Sequence, residues 1–470
     1  MKDSLKCILF YALLSLVLTS SSKAQDKKVL KIDSLVDRYY QFGFFNGNLL
    51  VADQDNVIYK GSMGFADASK KNRLSEEYRF VLGPLTREFG LVALMLLKEE
   101  GKLNLEDKLS LYLPDLPAWA EKISIKNLIQ WSSGIPERKE TTSKNDPDGM
   151  ALLKEIKELD FDPGSKYQYS DLSVYVQQKL IEKISKQTFD KFLEEHVFKP
   201  NNLKNALVSP TSKDVLIARA FKNDGTEDQP FKPVYKMLSL TLDDFYRWTE
   251  ALYGLKIIKS ESLKFLFGSA QPGKQNVSWN GDKLIRHTNT GSFLSNSVLQ
   301  VSDLSEKRTV ILFSNLENAR LQELNTGIQA ILDGSAYRLP KRSVFIKIEK
   351  QLNSLNGRQI IAFYEYLKAK NEQDYNFDDD AELYKAGLFL FSKSRYEDAL
   401  VLLEHNTKLF PKSVKTLNLL AEVYLKKGDK KNALSSYKKL LQLNPSDKTA
   451  REGIESLEKP VLQKNAKPLK

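Results

Sequence analysis

The chain is nearly free of the residues that build redox and metal centres. Its 470 residues include one cysteine, Cys7, and three histidines, His196, His287 and His405, far apart along the chain. A lone cysteine excludes an intrachain disulfide, and imidazoles so dispersed argue against a Cys/His metal cage. Neither a metal nor a cofactor is expected. Long apolar runs are also missing. Beyond the N-terminus no stretch approaches the roughly 18 uninterrupted apolar residues that a membrane-spanning helix needs. What is present, 41% hydrophobic and 28% charged residues, excludes a disordered polyelectrolyte. The length suggests about three units, or one large domain and a smaller one.

The first residues read as an address. Lys2 and Lys6 precede the apolar run Ile8 to Leu18, and the small and polar residues Thr19 to Ala24 follow. That order is the one found in secretory signal peptides, with Ser22 and Ala24 suiting cleavage before Gln25. The 11-residue run is too short to span a bilayer as a helix. Cys7 opens the run and does not close it, which does not suit lipid attachment. Residues 1–24 are therefore expected to be a signal peptide. The remainder, free of cysteine and of any transmembrane helix, is expected to be periplasmic or secreted.

Charge divides the rest near Leu339-Pro340. Of the net +11, residues 341–470 carry +8, residues 1–24 carry +2, and residues 25–340 only +1. The basic segment also repeats itself. Gly387, Ala399 and Pro411 recur as Ala421, Ala433 and Pro445, each time 34 residues on. Ala386, Leu390 and Leu403 recur as Leu420, Tyr424 and Tyr437. Small residues let two helices pack closely, and the prolines close each unit. The period and residue types resemble tetratricopeptide repeats, which are helix–turn–helix units, here 380–413 and 414–447. Ser343 to Ala369 is expected to pack on them as an atypical helical cap.

Residues 25–340 show another pattern. Asn46 to Ala52 and Val57 to Met63 are short β-rich runs about Asp53-Gln54-Asp55-Asn56, a hairpin signal. Tyr78 to Leu82 is a third run. Glu88 to Glu100 has helical spacing, with Phe89, Val92, Ala93, Leu96 and Leu97 on one face and Gly101 at its end. Helices dominate 120–200, and strands return at Lys283 to His287, Ser297 to Val301 and Thr309 to Ser314. Strands from both ends with helices between predict one α+β domain, its antiparallel sheet closed by distant parts of the chain. The helical repeat domain, all-α, would follow it.

Several segments in this region carry a resemblance. They are Gly47-Asn48-Leu49-Leu50-Val51-Ala52 with Gly64-Phe65-Ala66-Asp67, Phe80-Val81-Leu82-Gly83, and Glu99 to Asp107 with Tyr112-Leu113-Pro114. Ile125 to Ile129 with Ser132-Ser133-Gly134-Ile135-Pro136, and Pro163-Gly164 before Tyr169-Ser170, continue the order. Together they resemble the β-lactamase and penicillin-binding serine hydrolases, in the branch with class C β-lactamases and related esterases. The resemblance spans about 25–340. It implies an antiparallel sheet flanked by helices and acyl transfer through three motifs.

Each motif is altered. The first, Ser-x-x-Lys at a helix start, places a nucleophile beside a base on one helix face. Here it reads Pro84-Leu85-Thr86-Arg87. Proline has no nucleophilic atom, and arginine stays protonated and is a poor base. The second, Tyr-x-Asn, reads Tyr169-Ser170-Asp171. The third, Lys-Thr-Gly or His-x-Gly, reads His287-Thr288-Asn289, with Asn289-Thr290-Gly291 as another possible alignment. No catalytic set is intact among Pro84, Arg87, Tyr169, Asp171, His287 and Asn289. Thr86 and Ser170, the nearest hydroxyls, are expected to face away from the cleft.

These readings predict a pseudoenzyme of the cell envelope. It would hold a residual small ligand in its cleft and a protein or peptide partner, acidic in character, on the repeats. The alternative is an active serine-type hydrolase, an esterase, amidase or peptidase with a displaced nucleophile. Expected secretion and the lack of a recognised nucleic-acid module argue against nucleic acid as the meaning of the charge. An ion pair between Arg87 and Asp171 is expected across the former catalytic cleft.

Overall fold

Two residues in the left-handed backbone region, Gln54 (φ 53°) and Asp55 (φ 60°), turn the chain between its first two strands. Positive φ at both central positions matches the right-handed twist of the flanking strands, so the hairpin closes tightly. The computed structural model describes residues 25–137, 148–211, 213–228, 233–268 and 276–458. The signal peptide expected at 1–24 lies outside the described residues. The chain divides at Leu339 and Pro340 into two compact units.

In the first unit a helix, α1 (25–41), leads into β1 (Gly47–Asp53) and β2 (Asn56–Met63). The later strands are β3 (Asn276–Asn280), β4 (Lys283–Phe293), β5 (Asn296–Asp303) and β6 (Arg308–Ser314). They form one antiparallel sheet in the order β2-β1-β6-β5-β4-β3. The register between β1 and β6 runs from Gly47 opposite Ser314 to Asp53 opposite Arg308. The sheet is thus closed by segments from opposite ends of the unit.

Strand side chains alternate between two cores. Leu49, Val51, Val310 and Leu312 face α1 and the helix Leu321–Leu332, where Ile32, Leu35, Leu324 and Ile328 complete a buried layer. Leu50, Ala52, Ile311 and Phe313 face the larger core beneath the other helices. At the centre of that core is α2 (Thr86–Glu99). Its burial extends beyond the single face expected from spacing, because Leu91, Leu94 and Met95 are covered as well. A helix apolar on nearly all sides is an interior helix. Strand Phe80–Val81 does not join the main sheet; it pairs with Leu238–Leu240 in a separate three-stranded sheet.

The second unit is helical apart from a two-residue parallel pairing of Arg342–Ser343 with Tyr375–Asn376. Helix Gly357–Asn371 contributes Ile360 and Tyr364 to a core shared with Leu383, Leu390, Leu402 and Leu403. Two helical hairpins follow, Ala381–Ser392 with Tyr396–Leu409 and Val414–Lys426 with Lys430–Leu443. Ala399 and Ala433, one period apart, are both fully buried. A Cβ on Gly387 would lie 2.7 Å from Leu403 Cδ2, so the small residue sets how closely the first pair approaches.

Candidate functional site

Pro84, which the sequence aligns with the family's nucleophile, lies on a tight turn between strand and helix. Gly83 (φ 54°) opens a one-turn 3-10 helix, Gly83–Leu85, which runs into α2. Proline suits this first turn, where its missing N–H costs nothing. Strand β4 packs directly on the turn. A Cβ on Gly291 would lie 2.2 Å from Leu85 Cδ1 and 3.0 Å from the Leu82 carbonyl oxygen. The position at which the strand needs a glycine is therefore Gly291, not residue 289.

The first and second motifs meet through aromatic faces. Arg87 Cζ stands 5.5 Å from the Tyr169 ring centre and 5.8 Å from that of Trp131, and the two rings are 5.1 Å apart. The expected ion pair with Asp171 is not formed: no carboxylate oxygen of the described residues lies within 4.0 Å of the guanidinium. The physical reason lies in competing partners. Trp131 and Tyr169 offer the cation their π faces. The Tyr169 hydroxyl donates to Asp171 Oδ1 at 2.8 Å and occupies the carboxylate. Burial raises the Asp171 pKa, with the tyrosine bond opposing it.

The third motif points inward. Asn289 is buried, and its Nδ2 donates to Glu88 Oε2. Glu88 Oε1 accepts from Trp248 Nε1 at 3.1 Å. Burial lifts the Glu88 carboxyl to about 7, against the lowering effect of Trp248, the Arg87 charge and Asn289. His287 is wholly buried, with Nδ1 against the Tyr253 hydroxyl. That hydroxyl also lies 3.3 Å from Gln300 Oε1. Burial holds the His287 imidazole down to about 4, so it is neutral at ordinary pH. The arrangement therefore joins Arg87 with Tyr169 and Asn289 with Glu88, and leaves His287 in the core.

Sequence reading missed Glu88, Trp248 and Tyr253. Glu88 carried a signal, since it lies one turn before Val92 on the apolar face of the predicted helix. Nothing local marked the other two. The neighbouring hydroxyls are engaged. Thr86 Oγ1 accepts from the Leu238 backbone N–H at 3.0 Å, and Ser170 Oγ donates to the Pro136 carbonyl at 2.8 Å. Both residues are fully buried.

A groove of about 540 Å³ lies in the second unit, lined by Leu417, Leu420, Tyr424, Lys408 and Lys439 among others. The Tyr424 hydroxyl donates to Glu404 Oε1 at 2.6 Å on its wall. Of the six lysines Lys426, Lys427, Lys430, Lys431, Lys438 and Lys439, all exposed, Lys427 pairs with Glu397 and Lys438 with Glu458. Among the described residues no three His, Cys, Asp or Glu side chains gather as for a metal ion, and no helix is long and apolar enough to cross a membrane.

The Beta-lactamase family model matches residues 32–300. The chain belongs to that family. A tetratricopeptide repeat model matches 414–447. The putative penicillin-binding protein PbpX of Bacillus subtilis (strain 168) is 24% identical over 326 residues, covering 67% of this chain and 82% of the relative. A crystal structure of a penicillin binding protein from Bacillus halodurans superposes with a TM-score of 0.54 at 17% identity, covering 63% of this chain and 98% of the other. A class C beta-lactamase gives 0.54 at 17% identity, covering 66% and 96%. The family fold, a flanked antiparallel sheet, is thus followed here by helical repeats.

Proposed function

We propose that this family member does not form acyl intermediates and acts in the periplasm or outside the cell by binding. Its cleft would take a ligand and its repeats a protein partner. The observation that carries the reading is Pro84, which places no nucleophilic atom on the turn that starts α2. The adjacent hydroxyls offer no substitute, because Thr86 and Ser170 are buried and bonded to backbone groups. A displaced nucleophile would have to break one of those bonds, each worth about 1 kcal/mol and costlier to leave unmade. The test is incubation of the protein, residues 25–470, with a fluorescent penicillin and a fluorophosphonate probe, followed by intact-mass analysis. No adduct is expected. A stoichiometric adduct on a serine or threonine of the first unit would establish the active-hydrolase alternative.

For the repeats, tetratricopeptide character supports protein–protein interaction, and the charge supports an acidic partner. Lys408 and Lys439 line the groove together with Leu417 and Leu420. Capture of such a partner should depend on residues 341–470. It should weaken as salt rises, because exposed charges are screened over about 8–10 Å at physiological ionic strength.

A further inference from the structure

Three asparagines of the chain are followed by glycine: Asn46, Asn280 and Asn356. A glycine has no side chain to keep its amide nitrogen from the preceding asparagine side chain, so these pairs are the ones most open to intramolecular deamidation. The fold treats the three differently. Asn46 is buried. Its Nδ2 donates to the Phe65 carbonyl at 2.8 Å and to Asn315 Oδ1 at 2.6 Å, and its Oδ1 accepts from the Phe65 N–H at 2.9 Å. Asn356 caps the helix Gly357–Asn371 with Oδ1 on the Gln359 N–H at 3.0 Å, and the Gly357 N–H donates to Asp398 Oδ1 at 2.7 Å. There the amide that would be attacked and the nitrogen that would attack are both held. Asn280 ends β3 at the tip of its hairpin with β4, opposite Lys283. It is exposed, and neither its side chain nor the Gly281 N–H makes a hydrogen bond among the described residues. Gly281 (φ 60°) and Asp282 are the two residues of the turn.

We infer that Asn280 is a site of covalent self-modification, converted in the folded protein to aspartate and isoaspartate while Asn46 and Asn356 persist. The Gly281 nitrogen gives its proton to solvent and bonds to Asn280 Cγ. The Cγ–Nδ2 bond breaks, and ammonia leaves with a proton taken back from solvent. Water then opens the cyclic imide. Breaking the new Cγ–N bond gives aspartate, and breaking the original peptide C–N bond gives isoaspartate. In sum, a side-chain amide and one water become a carboxylate and ammonium. The consequence falls on the hairpin. The helix Ser260–Phe267 holds its tip: Lys264 Nζ donates to the Gly281 carbonyl at 3.1 Å and pairs with Asp282, and Ser260 Oγ donates to the Asp282 carbonyl at 3.0 Å. Isoaspartate adds one carbon to the main chain at a two-residue turn, where loop length sets the strand register. The strand so loosened, β3, is an edge of the sheet and places Val277 opposite His287.

The experiment is timed incubation of the protein in mildly alkaline buffer, native and in urea, followed by tryptic peptide mapping with electron-transfer fragmentation to separate aspartate from isoaspartate. In the native protein Asn280 should convert at least tenfold faster than Asn46 or Asn356. In urea, where only the dipeptide and its flanks matter, the three should convert at similar rates. Asn280→Gln should remove the product and leave the other two sites unchanged. Equal native rates at the three sites, conversion led by Asn46 or Asn356, or no native conversion at Asn280 while the urea sample reacts would overturn the inference. A tenfold lead of Asn280 that persists in urea would also overturn it, since flanking sequence and not the fold would then select the site. Hydrogen exchange reads the consequence: amides of residues 276–288 should exchange faster in aged protein than in Asn280→Asp, whose main chain is unaltered. Equal exchange in the two would overturn the effect on the hairpin.

Discussion

The two units of the chain are held together in opposite ways. In the first, the decisive contacts join residues far apart in sequence. Strand β1 pairs with β6 across most of the unit, Glu88 bonds Trp248 and Asn289, 160 and 201 residues away, and Asn46 bonds Asn315 at a separation of 269. In the second unit the corresponding polar ties span shorter stretches of sequence, 43 residues at the longest for Arg395. Arg395 holds Asp398 and the Leu352 and Leu355 carbonyls, and Asn406 Nδ2 reaches Thr416 Oγ1, ten residues on. A sheet closed by its ends must form as a whole, whereas stacked hairpins gain stability from adjacent units. The family cleft therefore sits in the unit where a local substitution has distant consequences.

The largest effects should come from matched core deletions. Trp248 is buried, stacks on Phe89 with ring centres 3.9 Å apart, and donates to Glu88. Trp248→Ala should cost about 3–5 kcal/mol. Leu403→Ala, beneath Gly387, should cost about 2–5 kcal/mol. All four tryptophans, Trp119, Trp131, Trp248 and Trp279, lie in the first unit. Tryptophan emission thus follows that unit alone, while circular dichroism at the helical minimum follows both. In urea, Trp248→Ala should lower the midpoint read by the remaining tryptophans. Leu403→Ala should move only the dichroism. Equal displacement of both signals by Leu403→Ala would break the comparison and make the chain one cooperative block.

Much of this architecture was legible in the residues because local pattern and burial coincide. The apolar runs Leu49 to Ala52 and Val310 to Phe313 are what a strand buried on both faces requires, and the 34-residue recurrence of small residues is what stacked hairpins require. The expected antiparallel sheet and family are found, and a tetratricopeptide repeat is matched at 414–447. The interior of the site was less legible. His287 is enclosed by Tyr253, Phe267 and Gln300, which no spacing rule brings together. The Arg87–Asp171 pair is expected from opposite charges at neighbouring positions of the first two motifs, and Trp131, lying between them in sequence, has no visible part in that expectation. Charge complementarity states that two groups would attract; it does not state which aromatic faces and hydroxyls reach them first.

A second test uses two buried titratable groups of the first unit, Glu88 and His287. The Glu88 pKa is raised from 4.5 to about 7, so its contribution to stability is full below pH 4.5 and is lost as pH rises to about 7. The His287 pKa is lowered from 6.5 to about 4, so its contribution is full above pH 6.5 and is lost as pH falls to about 4. Between pH 4.5 and 6.5 the slopes oppose and nearly cancel. Glu88→Gln should unmask the histidine and make stability, relative to wild type, rise by about 2–3 kcal/mol across that window. His287→Gln should make it fall by a similar amount. Urea midpoints read by tryptophan emission at several pH values check both signs. A flat difference in either variant would mean that the group titrates alike folded and unfolded.

The smallest effect is expected at Asp171, and it sharpens the contrast within the first unit. Unlike Glu88, Asp171 is tied to a residue only two positions away, through the Tyr169 hydroxyl. In Asp171→Asn the amide oxygen can still accept that hydrogen bond, and removing the charge relieves the burial that raises the carboxyl pKa. The change in stability should be about 1 kcal/mol or less. Measured at pH 7 by tryptophan emission, the midpoint should lie close to wild type. A loss of about 3 kcal/mol or more is the signature of a broken buried ion pair. Arg87 would then be bound to Asp171 in solution, and its placement over the Trp131 and Tyr169 rings would fall with the same measurement.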